Sequence, residues 1–107
     1  MTHAPIDAAI DIARAERETL RWVLLSSLWH ARPYGCTEYV LMRAAQDVPL
    51  RATTDMVRSE LDSLAMNGLA QINQDQPIWW AKLTARGEAV VEYREPAPAG
   101  VARPPKW

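Results

Sequence analysis

The densest group of polar side chains suited to recognition lies in the stretch Arg51-Ala52-Thr53-Thr54-Asp55-Met56-Val57-Arg58-Ser59. Guanidinium groups and hydroxyls at such intervals suit a nucleic acid. A guanidinium takes a guanine edge bidentately or clamps a phosphate, and hydroxyls bond to phosphate oxygens and base edges. Thr53 has the character of a helix cap and Arg51 stands just ahead of it, within reach of a phosphate. Thr54, Arg58 and Ser59 then fall on the outer face of the helix that follows, where Arg58 is placed to read a guanine. A second polar group, Asn73-Gln74-Asp75-Gln76-Pro77, is turn chemistry throughout and offers Gln74 and Gln76 at the tip of a loop.

The remaining constellations point to bland roles. His3, His30 and Cys36 are the imidazole and thiol groups of the chain, and a lone cysteine excludes both an internal disulfide and a pair of thiolate ligands. No metal and no cofactor is expected. His30 suits the end of a helix, where a cation meets the dipole, and Cys36 suits a small site at the start of the next one. With no nucleophile in a catalytic motif and no phosphate loop among four glycines, the chain does not read as an enzyme. Ser26 and Ser27 should bond back to carbonyls one turn earlier. Trp79-Trp80 places two rings on opposite faces of a strand, so one packs inward and the other covers the last helix or meets a partner.

Charge sets the terms for any anionic partner. Twelve Lys and Arg against thirteen Asp and Glu leave a net charge of -1, so no bulk field draws the chain to nucleic acid or lipid. Between residues 36 and 67, Arg43, Arg51 and Arg58 face Glu38, Asp47, Asp55, Glu60 and Asp62. Contact with DNA must therefore be local and must overcome these acids, unless they point away. The longest apolar stretch lies between Trp22 and Trp29, far short of the roughly 20 residues of a membrane span. An N-terminus without a basic region and apolar core argues against a secretory signal, and a cytoplasmic setting is expected.

The elements that must position these groups follow from periodicity. Apolar residues recur at helical spacing over residues 6–31, with Ile6, Ile10, Ala13, Leu20, Leu24 and Leu28 on one stripe and Trp22, Leu25 and Trp29 on another. The second half of this helix is apolar nearly all round and should run through the core, while the first half projects from it. Pro33 ends it. Thr37 caps a short helix over 38–46, stopped by Asp47-Val48-Pro49, and Thr53 caps one running to about residue 67, with Gly68 as its C-terminal glycine. Residues 69–72 and 78–83 make a hairpin, Thr84 caps a last helix over 85–94, and the tail, with Pro96, Pro98, Pro104 and Pro105, should be irregular and flexible.

Three helices, a hairpin and a closing helix form a winged helix-turn-helix, mainly α in the order α-α-α-β-β-α. The stretches Thr53-Thr54-Asp55-Met56-Val57-Arg58, Leu61-Asp62-Ser63-Leu64, Asn67-Gly68-Leu69-Ala70 and Lys82-Leu83-Thr84-Ala85-Arg86-Gly87 resemble the recognition helix, the glycine entering the wing and the LTxxG exit of ArsR- and MarR-type regulators. More closely, the chain is similar over residues 19–92 to small winged-helix proteins of Mu-like prophages. Periodicity and composition divide the chain into residues 1–18 as a projecting arm available for dimerisation, 19–94 as the winged-helix domain and 95–107 as a proline-rich flexible tail. The resemblance implies double-stranded DNA as partner, a homodimer built on the first and last helices, and a role as transcriptional regulator or accessory DNA-binding factor. The alternative is a protein-interaction module of a phage complex, docking through the acidic helix-turn-helix, the outward tryptophan and the tail.

Overall fold

A computed structural model describes residues 5–106 of the chain, and the side chains of residues 11–106. His3 and Trp107 lie outside the described residues, and the side chains of Ile6 and Ile10, part of the apolar stripe, lie outside the described side chains. The elements run α1 (Pro5–His30), β1 (Cys36–Thr37), α2 (Glu38–Asp47), α3 (Thr54–Met66), β2 (Ala70–Asn73), β3 (Trp80–Leu83) and α4 (Ala85–Val91). The architecture is a winged helix, mainly helical with one small sheet. No helix among the described residues is long and apolar enough to cross a membrane.

The core is built on the leucines of α1. Leu20, Leu24, Leu25 and Leu28 are all but inaccessible, and Leu41 and Ala45 of α2, Val57, Leu61 and Leu64 of α3, Leu69, Ala81 and Val90 close around them. The i, i+4 recurrence of residues 20, 24 and 28 and of residues 57 and 61 puts each set on one face, which is why these helices pack about a common centre. Burial is not complete around α1, because Trp22 and Trp29 are only half-buried. Ser27 donates to the Val23 carbonyl one turn earlier, at 2.7 Å, as its place in a buried helix demands.

The expected caps are formed. The hydroxyl oxygens of Thr37, Thr53 and Thr84 accept from the amides of Val40, Met56 and Gly87, opening α2, α3 and α4. Gly68 has φ +74° and ends α3, where the Leu69 amide donates to the Leu64 carbonyl. Gly87 serves a different end. A Cβ there would collide with the Leu69 carbonyl oxygen, so the glycine lets α4 sit directly on the strand leading into the wing. Thr84 completes this junction by donating to the Gly68 carbonyl at 2.7 Å.

Three features differ from the sequence-based expectation. The sheet has three antiparallel strands, in the order β1-β3-β2, because Cys36 pairs with Ala81 and Thr37 with Trp80. A two-residue strand leaves no period to detect. The last helix stops at Val91, three residues early, and Tyr93 takes a left-handed φ of 62° ahead of Pro96. The tail is irregular, but residues 97–103 are tied down instead of flexible. Arg103 donates to the carbonyls of Val90 and Glu95 and lies 4.3 Å over the Tyr93 ring. The Ala102 amide donates to Glu18 of α1, and Ala97 and Val101 pack on the core.

Ion pairs reinforce this seam. Arg21 of α1 donates to the nearly buried Glu60 of α3 at 2.6 Å and to the Gly100 carbonyl at 3.0 Å, joining two helices and the tail at one guanidinium. Truncation after Pro96 is expected to lower unfolding stability by about 2 kcal/mol or more, from the lost apolar burial of Ala97 and Val101 and the orphaned Arg21 donor. Urea unfolding of the truncated and full chains measures it, and equal midpoints would show the tail contributes nothing.

Candidate nucleic-acid interface

α2 and α3 form the helix-turn-helix, and the hairpin of β2 and β3 stands beside α3 as the wing. Thr53 at the α3 N-cap has its side-chain oxygen committed to the Met56 amide at 3.2 Å. Along the solvent face of α3, Asp55, Ser59, Asp62 and Met66 follow one another at helical spacing, all exposed, with Thr54 partly exposed beside them. Met66 is 88% exposed. The acids do not all point away, and two of the four groups in this row are carboxylates.

Arg51 is the most accessible of the sequence-identified cations, with 88% of its side chain exposed, and it meets Glu16 of α1 at 3.0 Å. A single exposed pair of this kind holds its partner weakly and leaves the guanidinium available to a phosphate. Arg43 on α2 is exposed and forms no ion pair among the described residues. The sequence counts it in the charge balance without assigning it a contact.

Arg58 is placed otherwise than the sequence suggests. Its Nε and Nη2 donate to the two oxygens of Glu38 at 2.9 and 2.8 Å, Nη2 also reaches the Pro77 carbonyl at 2.8 Å, and the guanidinium lies 4.6 Å over the Trp79 ring. The fork that would take a guanine is closed on a carboxylate. Glu38, counted from the sequence among the acids that oppose DNA contact, is 2% exposed, and its carboxylate also accepts from the Trp79 amide. One carboxylate thus joins the start of α2, the middle of α3 and the base of the wing. The hydrogen bonds from Arg58 hold the Glu38 carboxyl below the usual glutamate range, against burial, which pushes it up.

The wing tip is polar. Gln74 donates to Asp62 of α3 at 3.3 Å, Asn73 accepts from the Asp75 amide at 2.9 Å, and Gln76 is exposed. Gln74 therefore ties the wing to α3, while Gln76 at the turn makes no side-chain hydrogen bond among the described residues. Of the tryptophan pair, Trp79 is the inward ring, under Arg58, and Trp80 the outward one, 42% exposed. Elsewhere Arg32 joins Glu88 and Glu92 of the α4 end, and Trp29 donates to Glu92 at 3.0 Å.

No protein-family model and no curated protein matches the chain. Among solved structures it is similar to BpsR of Bordetella bronchiseptica, in a structure concerned with the regulation of that protein's DNA binding by 6-hydroxynicotinic acid. The two are 19% identical with a TM-score of 0.56, over 85% of this chain and 69% of that one. At that identity the likeness establishes the shared fold.

Glu38→Gln keeps the shape of the clasp but removes its charge, and is expected to cost about 2 kcal/mol at neutral pH. A carboxyl depressed in the folded state contributes fully above its unfolded value, about 4.3, and loses that contribution as pH falls through the folded value. The gap between parent and variant should therefore narrow in acid. Urea titrations from pH 7 down to 3 check this, and a gap that stays constant would remove the charge of Glu38 from the account.

Proposed function

We propose that the protein is a winged-helix DNA-binding protein, a transcriptional regulator or accessory DNA-binding factor of the Mu-like prophage type, acting on double-stranded DNA. The observation that carries this reading is the uncovered face of α3, capped by Thr53 and set between an exposed Arg51 and an exposed wing tip. In this reading α3 enters the major groove, Arg51 and Arg43 hold phosphates on its flanks, and Thr54 and Ser59 bond to the backbone or base edges. Thr53 fixes the start of the helix and aims its free amides at a phosphate. Gln76 reaches the adjacent groove from the wing. Arg58 acts indirectly, by holding the wing against α3 through Glu38.

The carboxylates Asp55 and Asp62 repel phosphates, so non-specific binding is weak and a cognate site must bring its bases to α3. They also suit the amino groups of cytosine, which are donors. A second reading is favoured by the same row: a protein-interaction module of a phage complex whose partner offers basic groups to Asp55 and Asp62.

The functional unit in the first reading is a homodimer built on the projecting part of α1 and on α4. Ile12, 57% exposed on that arm, is the described apolar group that supports it. Ile12→Glu should shift a dimer to monomer in sedimentation equilibrium, and an unchanged mass would remove the arm from the interface.

Fluorescence anisotropy against duplex fragments from the neighbouring genome, at several salt concentrations, tests the DNA reading. Arg51→Ala should weaken binding uniformly across sequences and reduce the salt slope by about 1, the signature of one lost phosphate contact. Absence of any duplex binding at low salt by the folded protein would favour the interaction module instead.

A further inference from the structure

We propose that the outer face of the sheet is a second binding surface, a platform for single-stranded nucleic acid with Trp80 as the stacking ring and Lys82 as the phosphate contact. The inference goes beyond the reading of α3 and uses a different surface. Trp80 and Lys82 alternate outward along β3, and the register sets Asn73 beside Trp80 and Gln71 beside Lys82, all four exposed. Trp80 is held by its edge, because its indole N–H donates to the Tyr34 carbonyl at 2.9 Å. That bond fixes the ring while leaving its face open, and Tyr34 next to it is 79% exposed. Together with Asp62 and Ala65 of α3, these groups line an open cleft of about 680 Å³.

The chemistry of this face favours a base over a peptide. A fixed indole stacks with any base, since every base has a π-face, and the primary amides of Gln71 and Asn73 each supply donors and an acceptor to base edges. Lys82 adds an ammonium two residues along the same strand, in register for a backbone phosphate. The carboxylate that lines the cleft, Asp62, sits at its α3 margin and accepts from Gln74. A protein interface would bury large aliphatic groups at its centre and exclude lysine, whereas the exposed groups beside this ring are Gln71, Asn73 and Lys82, with Ala65, Ala70 and Ile72 as the aliphatic part of the cleft lining.

The test is anisotropy of a fluorescein-labelled ten-nucleotide oligothymidylate, whose weakly stacked bases are free to lie on a ring, titrated at low salt with the full chain. Saturable binding is expected, weakened about tenfold by Trp80→Ala and largely restored in Trp80→Phe, which keeps a ring. Lys82→Gln should weaken it several-fold and flatten its salt dependence. Lys82 is exposed, so its variant should unfold at the parent's midpoint, whereas the Trp80 variants give up the bond to the Tyr34 carbonyl and are compared at a temperature well below their own midpoints. Absence of saturable binding by the parent, or binding that Trp80→Ala leaves unchanged, overturns the proposal. Either result alongside a duplex signal that responds to Arg51→Ala would leave the reading of α3 standing.

Discussion

The fold turns on a charge that cannot be left alone. Glu38 lies almost out of reach of solvent at the point where α2, α3 and the wing converge, and an unpaired carboxylate there would cost several kcal/mol. Arg58 and the Trp79 amide satisfy it, and the Trp79 indole in turn lies against the Arg58 guanidinium. The geometry between α3 and the wing is thereby set by hydrogen bonds with fixed directions, and not by apolar contact alone, which would allow the hairpin to slide. A winged helix holds two elements at a defined spacing, and here the spacing is written into one ion pair.

The same pairing changes the meaning of the charge balance. Counted along the chain, the helix-turn-helix is acidic, but Glu38 is cancelled by Arg58 and Glu60 by Arg21, so neither acid projects a field toward a ligand. What remains at the surface is Asp47, Asp55 and Asp62 against Arg43 and Arg51. Within the helix-turn-helix the pairing removes two acids and one cation, and the cation it removes from α3 is the one best shaped for reading a base.

Much of this fold is legible in the sequence because its local signals agree. Three threonine caps, the glycine at the end of α3 and the leucine spacing of α1 and α3 each specify their element without reference to the rest. The residues that escape are those whose roles depend on partners distant in the chain. Glu38 in the first turn of a helix has the appearance of a dipole-compensating surface acid, and only the approach of residues 58 and 79 makes it a buried one. Arg58 is misplaced for the same reason. β1 is too short to have a pattern, and the tail, rich in proline and poor in large apolar groups, gives no sign that Arg103 will find two carbonyls and the Tyr93 ring.

The docked tail also bears on cooperativity. The Ala102 amide donates to the Glu18 carbonyl, and the Arg21 guanidinium holds the Gly100 carbonyl, 79 positions away in the sequence. Contacts of such long range carry a large loop-closure cost, which is offset only when most of the intervening chain is ordered. The seam therefore joins α1 and the tail into one cooperative unit, and its loss is felt in the helix as well as in the segment that leaves it.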